Sequence, residues 1–215
     1  MHPTLKKVFD DSLSAFSSER SYSVLLEAKQ SYFEQTGQVL EEDDDYEARM
    51  SSFNFWYLLE FRHPSWLGTA MEQFIEDQNL EEQLITAIKS IRHSLFEYTG
   101  KNIRRHDVLL DVLHDQKVVL SKEYEAPSLV KKDLFLARVV SFEGQNYLLD
   151  GLRFLPSEVK SLLAKQAKRV RKSELPDQEP EFLRQVEFLK TKWMRYGHLN
   201  AKSIFDFASF GAKAP

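Results

Sequence analysis

Six histidines, at positions 2, 63, 93, 106, 114 and 198, are the side chains poised to exchange protons near neutral pH in a chain that has no cysteine. None stands in an H-E-x-x-H pattern, and His106 and His114 are eight residues apart, so any metal or catalytic pair would have to be assembled by the fold. The missing cysteines remove thiol nucleophiles, disulfides and Cys-ligated zinc or iron–sulfur sites. Serine is plentiful but never sits in a G-x-S-x-G elbow, and Gly100-Lys101 lacks the upstream glycine and the Ser/Thr of a phosphate-binding loop. The acidic run Glu41-Glu42-Asp43-Asp44-Asp45 lacks the glycine and distal glutamate of a calcium loop. It reads instead as a helix start, where carboxylates favour the exposed amides. No catalytic residue, cofactor or metal is expected.

Two patterns point to binding. Between Pro156 and Ser173 one helical face carries Lys160, Lys165, Lys168, Arg169, Arg171 and Lys172, opposite an apolar face of Val159, Leu162, Leu163 and Val170. Six cations without an acid on one face could contact several phosphates, and they could equally meet an acidic region of the same chain. Toward the C-terminus, Trp193, Tyr196, Phe205, Phe207 and Phe210 form an aromatic set. It can either fold back over the chain's own core or dock on a protein partner or second copy through spaced anchors.

The elements that must position these residues are legible from periodicity and charge. Residues 1–100 hold 8 basic and 18 acidic groups, net −10, and residues 101–215 hold 21 basic and 15 acidic, net +6, which together make the overall −4. Helical spacing runs through Leu5, Val8, Phe9, Leu13 and Phe16, then less strictly through Tyr22, Leu25, Leu26, Tyr32 and Phe33. Phe53, Phe55, Trp56, Tyr57, Leu58, Leu59 and Phe61 place apolar groups on every side of a further helix, which must therefore be covered all round, by the domain or by a second subunit. His63-Pro64 ends it. A short helix is expected near 71–77, and Asn79 with Glu82 has the form of a capping box before Leu84, Ile85, Ile88 and Ile91. From 94 to 155 five short β-rich runs separated by turns predict a small barrel or strongly bent antiparallel sheet. After Pro156 the helical period returns, ending in a helix with Phe182, Val186, Leu189, Trp193 and Tyr196 on one face and Gly197 at its stop.

Three fragments carry a resemblance. They are Phe53-Asn54-Phe55-Trp56-Tyr57-Leu58-Leu59-Glu60-Phe61-Arg62, Ile91-Arg92-His93-Ser94-Leu95-Phe96-Glu97-Tyr98, and Leu129-Val130-Lys131-Lys132-Asp133 running into Leu134-Phe135-Leu136-Ala137-Arg138-Val139-Val140. Their order and spacing over residues 51–156 resemble a region of uncharacterised bacterial proteins, many of which also carry a C-terminal SEC-C zinc motif. Lys132 replaces the turn glycine of that pattern, and a chain without cysteine cannot hold the SEC-C zinc site. The resemblance implies an architecture and transfers no site residue.

The expectation is an α+β protein with a helical part over 1–93, a small antiparallel β-barrel-like unit over 94–155, and C-terminal helices with an aromatic tail over 156–215. No signal-peptide-like run occurs in residues 1–30 and no stretch of ~18 apolar residues occurs anywhere, so a cytoplasmic protein without membrane insertion is expected. Its expected role is non-enzymatic, binding a protein partner or a second copy as an adaptor. The alternatives are nucleic-acid association through the basic helix and an unrecognised hydrolase.

Overall fold

The computed structural model describes residues 1–123, 128–173, 175 and 177–207. Among them are eight α-helices and a six-stranded antiparallel sheet. Five helices come first: α1 (Pro3–Phe16), α2 (Tyr22–Thr36), α3 (Tyr46–Leu59), α4 (Ala70–Gln78) and α5 (Glu82–Lys89). The strands β1 (Arg92–Lys101), β2 (Asp107–Asp111), β3 (Gln116–Val119), β4 (Leu134–Phe142), β5 (Gln145–Leu148) and β6 (Arg153–Leu155) follow, and a 3-10 turn leads into α6 (Lys160–Ser173), α7 (Gln178–Arg195) and α8 (Ala201–Ile204).

The helix with apolar groups on every side of its C-terminal half is α3. Phe53, Phe55, Trp56, Tyr57 and Leu58 are all buried, and the rings of Tyr32, Phe33, Phe61 and Trp66 pack around them. It is the central helix, covered from within the chain. The capping box expected at Asn79 and Glu82 before α5 does not form; one forms ten residues earlier, before α4. Thr69 accepts from the Glu72 amide while the Glu72 carboxylate accepts from the Thr69 amide, whereas Asn79 closes α4 in the left-handed conformation (φ 48°) and cannot start the next helix. The sixth strand, only three residues long, was too short to show a period.

The sheet runs β3-β2-β1-β4-β5, with β6 sharing the outer edge of β4 beside β5. It curls into a half-barrel, and Leu120 bridges to Asn146 where its two ends meet. Alternation along β4 separates the two faces. Phe135, Ala137 and Val139 point into the curl with Phe96, Leu109, Val118 and Leu148. On the outer face, Val140 and Phe142 join the core of the N-terminal helices, and Leu134 and Leu136 join the core of α6, α7 and α8. Arg138 lies between those two groups, paired across the strands with His93 of β1. A polar row thus crosses an otherwise apolar outer face, at the seam of the two helical packings. At the same seam Gly151 (φ 85°) brings its carbonyl within 3.1 Å of the Ser52 hydroxyl of α3, and a Cβ there would stand 2.9 Å from the Ser52 amide nitrogen.

Candidate functional site

Three buried arginines frame the seam. Arg49 of α3 donates to the Thr36 carbonyl at 3.1 Å and also reaches the Gly37 carbonyl and the Thr191 hydroxyl, so its guanidinium closes the carbonyl end of α2 against α7. Arg153 of β6 is ion-paired with Asp45, just ahead of α3, and its Nε lies 3.4 Å from the Glu187 carboxylate of α7. Arg138 donates to Glu60 at 2.5 Å from a side chain only 5% exposed, and its guanidinium lies 5.9 Å from the Phe55 ring centroid. A lone buried charge is costly, so each of these arginines holds a specific neighbour in place.

Between α2, α3, α4, α5, the β1–β4 pair and α7 lies a cavity of about 420 Å³. Its apolar wall includes Trp56, Leu59, Met71, Ile75, Ile88 and Leu183. Its polar wall carries Tyr32, Glu60, His93, Arg138, Glu179 and Glu187, and the exposed Glu72 and Lys89 stand at its rim. Burial, reinforced by the Arg138 charge, holds the His93 imidazole well below its ordinary pKa, so it is neutral at pH 7. Burial and the Glu187 carboxylate push the Tyr32 phenol up, and its hydroxyl keeps its proton. Glu187 is 2% exposed; its Oε2 has the Arg153 Nε ion pair at 3.4 Å, and its Oε1 makes no hydrogen bond among the described residues.

Four of the other histidines have local duties. His2 accepts from the Thr4 amide at the start of α1 and sits edge-on to Phe142, and His63 contacts Ser65 and Glu27. His106 meets the Leu120 carbonyl at 3.1 Å. His114 faces the buried Asp111 through Nδ1 (3.0 Å) and Glu179 through Nε2 (3.2 Å), opposite sides of the ring that cannot converge on one ion. Ser94 donates to Asp111 at 2.6 Å, not to His114. The carboxylate therefore stands between serine and histidine, the wrong order for activating a serine nucleophile.

The six cations of α6 fall into two sets. Lys160 pairs with Glu97 of β1 at 2.7 Å and Arg171 approaches Asp115 at 3.7 Å, so these two tie the helix to the sheet. Lys165, Lys168, Arg169 and Lys172 are exposed. Of the aromatic set, Phe205 is 0% exposed inside the core of α6, α7 and α8, and Phe207 stacks on Phe182. Trp193 lies under the Lys190 ammonium at 4.5 Å, and Tyr196 is 48% exposed. Of the two fates open to the set, Phe205 and Phe207 follow packing within the chain's own core. Phe210 lies outside the described residues. The acidic run begins the turn before α3, and Asp45 is engaged by Arg153.

Of the cavity's polar residues, only His93 stands among the sequence candidates, as one of six histidines. The signal available was a single charge inside an apolar run, as in Leu134-Phe135-Leu136-Ala137-Arg138-Val139-Val140, where both strand faces are buried.

Fold and seam together define an α+β protein whose curled sheet is clasped by two helical groups across a buried arginine frame. The chain belongs to a family of unknown function (DUF7986), whose model matches residues 22–192, a span that contains every residue of the frame and the cavity wall named above. No curated protein and no solved structure matches it. The resemblance to an uncharacterised family agrees with that membership.

Proposed function

We propose that the protein is a non-enzymatic binding protein whose ligand is a small molecule held in the seam cavity. The observation that carries this reading is the cavity itself: about 420 Å³, apolar over much of its wall, with a few buried polar groups facing one space. Those are the dimensions and lining of small-molecule sites, which favour the junctions between packed units. Ligand-observed NMR against a chemically mixed small-molecule library tests it, with Ile75→Trp as the variant that fills the space from the half-buried wall. Binders that Ile75→Trp no longer binds, with its circular dichroism unchanged, are the expected result. An absence of binders, or equal binding by the variant, would overturn the reading.

A second reading, association with nucleic acid, is supported by the four exposed cations Lys165, Lys168, Arg169 and Lys172 on one helix. Salt-dependent retention on RNA or DNA that is lost when the four become Glu is its expected signature, and no retention at low salt ends it. The adaptor role keeps Tyr196 as its exposed aromatic anchor among the described candidates. A cytoplasmic setting, and relatives that join this region to a SEC-C motif, belong to the same proposal; what supports the setting is the lack, among the described residues, of any helix long and apolar enough to cross a membrane.

A further inference from the structure

We infer that the ligand of the seam cavity is a small organic cation, an amine or guanidinium on an apolar body, with Glu187 as its anchor. The inference rests on the small-molecule reading above and adds the chemical class.

The other charged groups on the wall already have partners. Arg138 is held by Glu60 at 2.5 Å, Glu179 by His114 at 3.2 Å, and Arg184 by Glu181 at 3.1 Å. Glu72 accepts from its own helix cap at 2.7 Å and from Arg62 at 3.3 Å. Glu187 differs. It shares the single guanidinium of Arg153 with Asp45: Nε is ion-paired with Oε2 at 3.4 Å, and the buried Oε1 makes no hydrogen bond among the described residues. Buried carboxylate oxygens in folded proteins are nearly always hydrogen-bonded, so an unfilled acceptor on a residue of the cavity wall marks where a ligand's N–H group belongs.

Charge points the same way. Glu60, Glu72, Glu179 and Glu187 face Arg138, Arg184 and Lys89 on the wall, and the neutral His93 adds no further positive charge. A cationic ligand restores balance, whereas a carboxylate ligand would set its charge against Glu187. Arg184 Nε is a buried donor without a hydrogen-bond partner, so the ligand's body can carry one acceptor as well. Trp56, Leu59, Met71, Ile75, Ile88 and Leu183 supply the apolar surface for the rest of it.

Calorimetric titration of the full chain with three matched sets tests the class: tryptamine, tryptophol and indole-3-acetate; phenethylamine, 2-phenylethanol and phenylacetate; hexylamine, hexanol and hexanoate. The expected result is that at least one amine binds about tenfold or more tighter than its alcohol and its carboxylate, the loss expected when a charge-assisted hydrogen bond is removed. Glu187→Gln should erase that preference, and Ile75→Trp should abolish binding altogether. Because the matched comparison is made on the wild-type chain, it stands even if Glu187→Gln fails to fold. Alcohols or carboxylates that bind as well as their amines would overturn the cationic class while leaving the cavity as a binding site. If no member of any set binds while the library does yield cavity binders, the class also falls; if the library yields none, the small-molecule reading falls with it.

Discussion

The exposed face of α6 and the buried seam both collect charge, and they do so in opposite ways. On α6, four cations point to water, each surrounded by a high dielectric and easily screened, so any one of them contributes little to the fold. At the seam, Arg49, Arg138, Arg153 and Glu187 are each at most 5% exposed and sit within apolar packing, where an unmatched charge costs several kcal/mol by general estimate. The same residue types are thus decoration in one place and framework in the other. The comparison teaches that charge density along the chain marks solvated surface, whereas isolated charge in apolar sequence marks the interior where helices and sheet are joined.

Four substitutions or conditions separate the two regions by the size of their effect on stability. Arg153→Met leaves Asp45 and Glu187 without their shared cation and should cost about 3–5 kcal/mol by urea denaturation, while adding Glu187→Leu should recover much of the loss. The pH dependence of stability is next. His93 is held below its ordinary pKa in the folded chain, so on acidification the unfolded chain takes up its proton first. Stability from this group is complete above pH ~6.5 and falls as pH drops below that toward the folded value, by at most about 1.4 kcal/mol per pH unit. His93→Asn should flatten the curve between pH 7 and 5 when the two proteins are compared by denaturation at each pH.

Lys132→Gly comes third. Lys132 adopts φ 82° in the turn before β4, a conformation costly for a residue with a Cβ, so the substitution should raise stability by about 0.5–1 kcal/mol, read as an increase in Tm. Smallest is the triple change Lys165→Gln, Lys168→Gln and Lys172→Gln, expected to move stability by less than about 0.5 kcal/mol in either direction. A large loss from this triple change would erase the distinction between the two regions.

Much of the architecture was legible in the sequence because periodicity reports burial directly. The continuous apolar run of β4, the covered helix α3 and the amphipathic α6 each follow from which sides of an element are apolar. Lys132 adopts a positive φ, the conformation a glycine favours, in the turn before β4. The cavity was not legible, since it is bounded by residues as distant in sequence as Tyr32 and Glu187, and no local pattern records which gaps between elements stay unfilled. The capping box was misplaced for a similar reason. Asn79-Leu80-Glu81-Glu82 has the right residue types, but the preceding helix turns Asn79 into a left-handed stop. Phe205 and Tyr196 look alike as aromatic residues near a chain end, and only the position of α8 against α6 and α7 separates the buried one from the exposed one.

The central claim is that the seam, and not the basic face, receives the small ligand, and backbone amide chemical-shift mapping during titration with tryptamine tests it most directly. The predicted result is a set of saturable shifts at Trp56, Ile88, His93, Arg138, Leu183 and Glu187, with residues 165–172 unmoved. Shifts confined to residues 165–172 would contradict it.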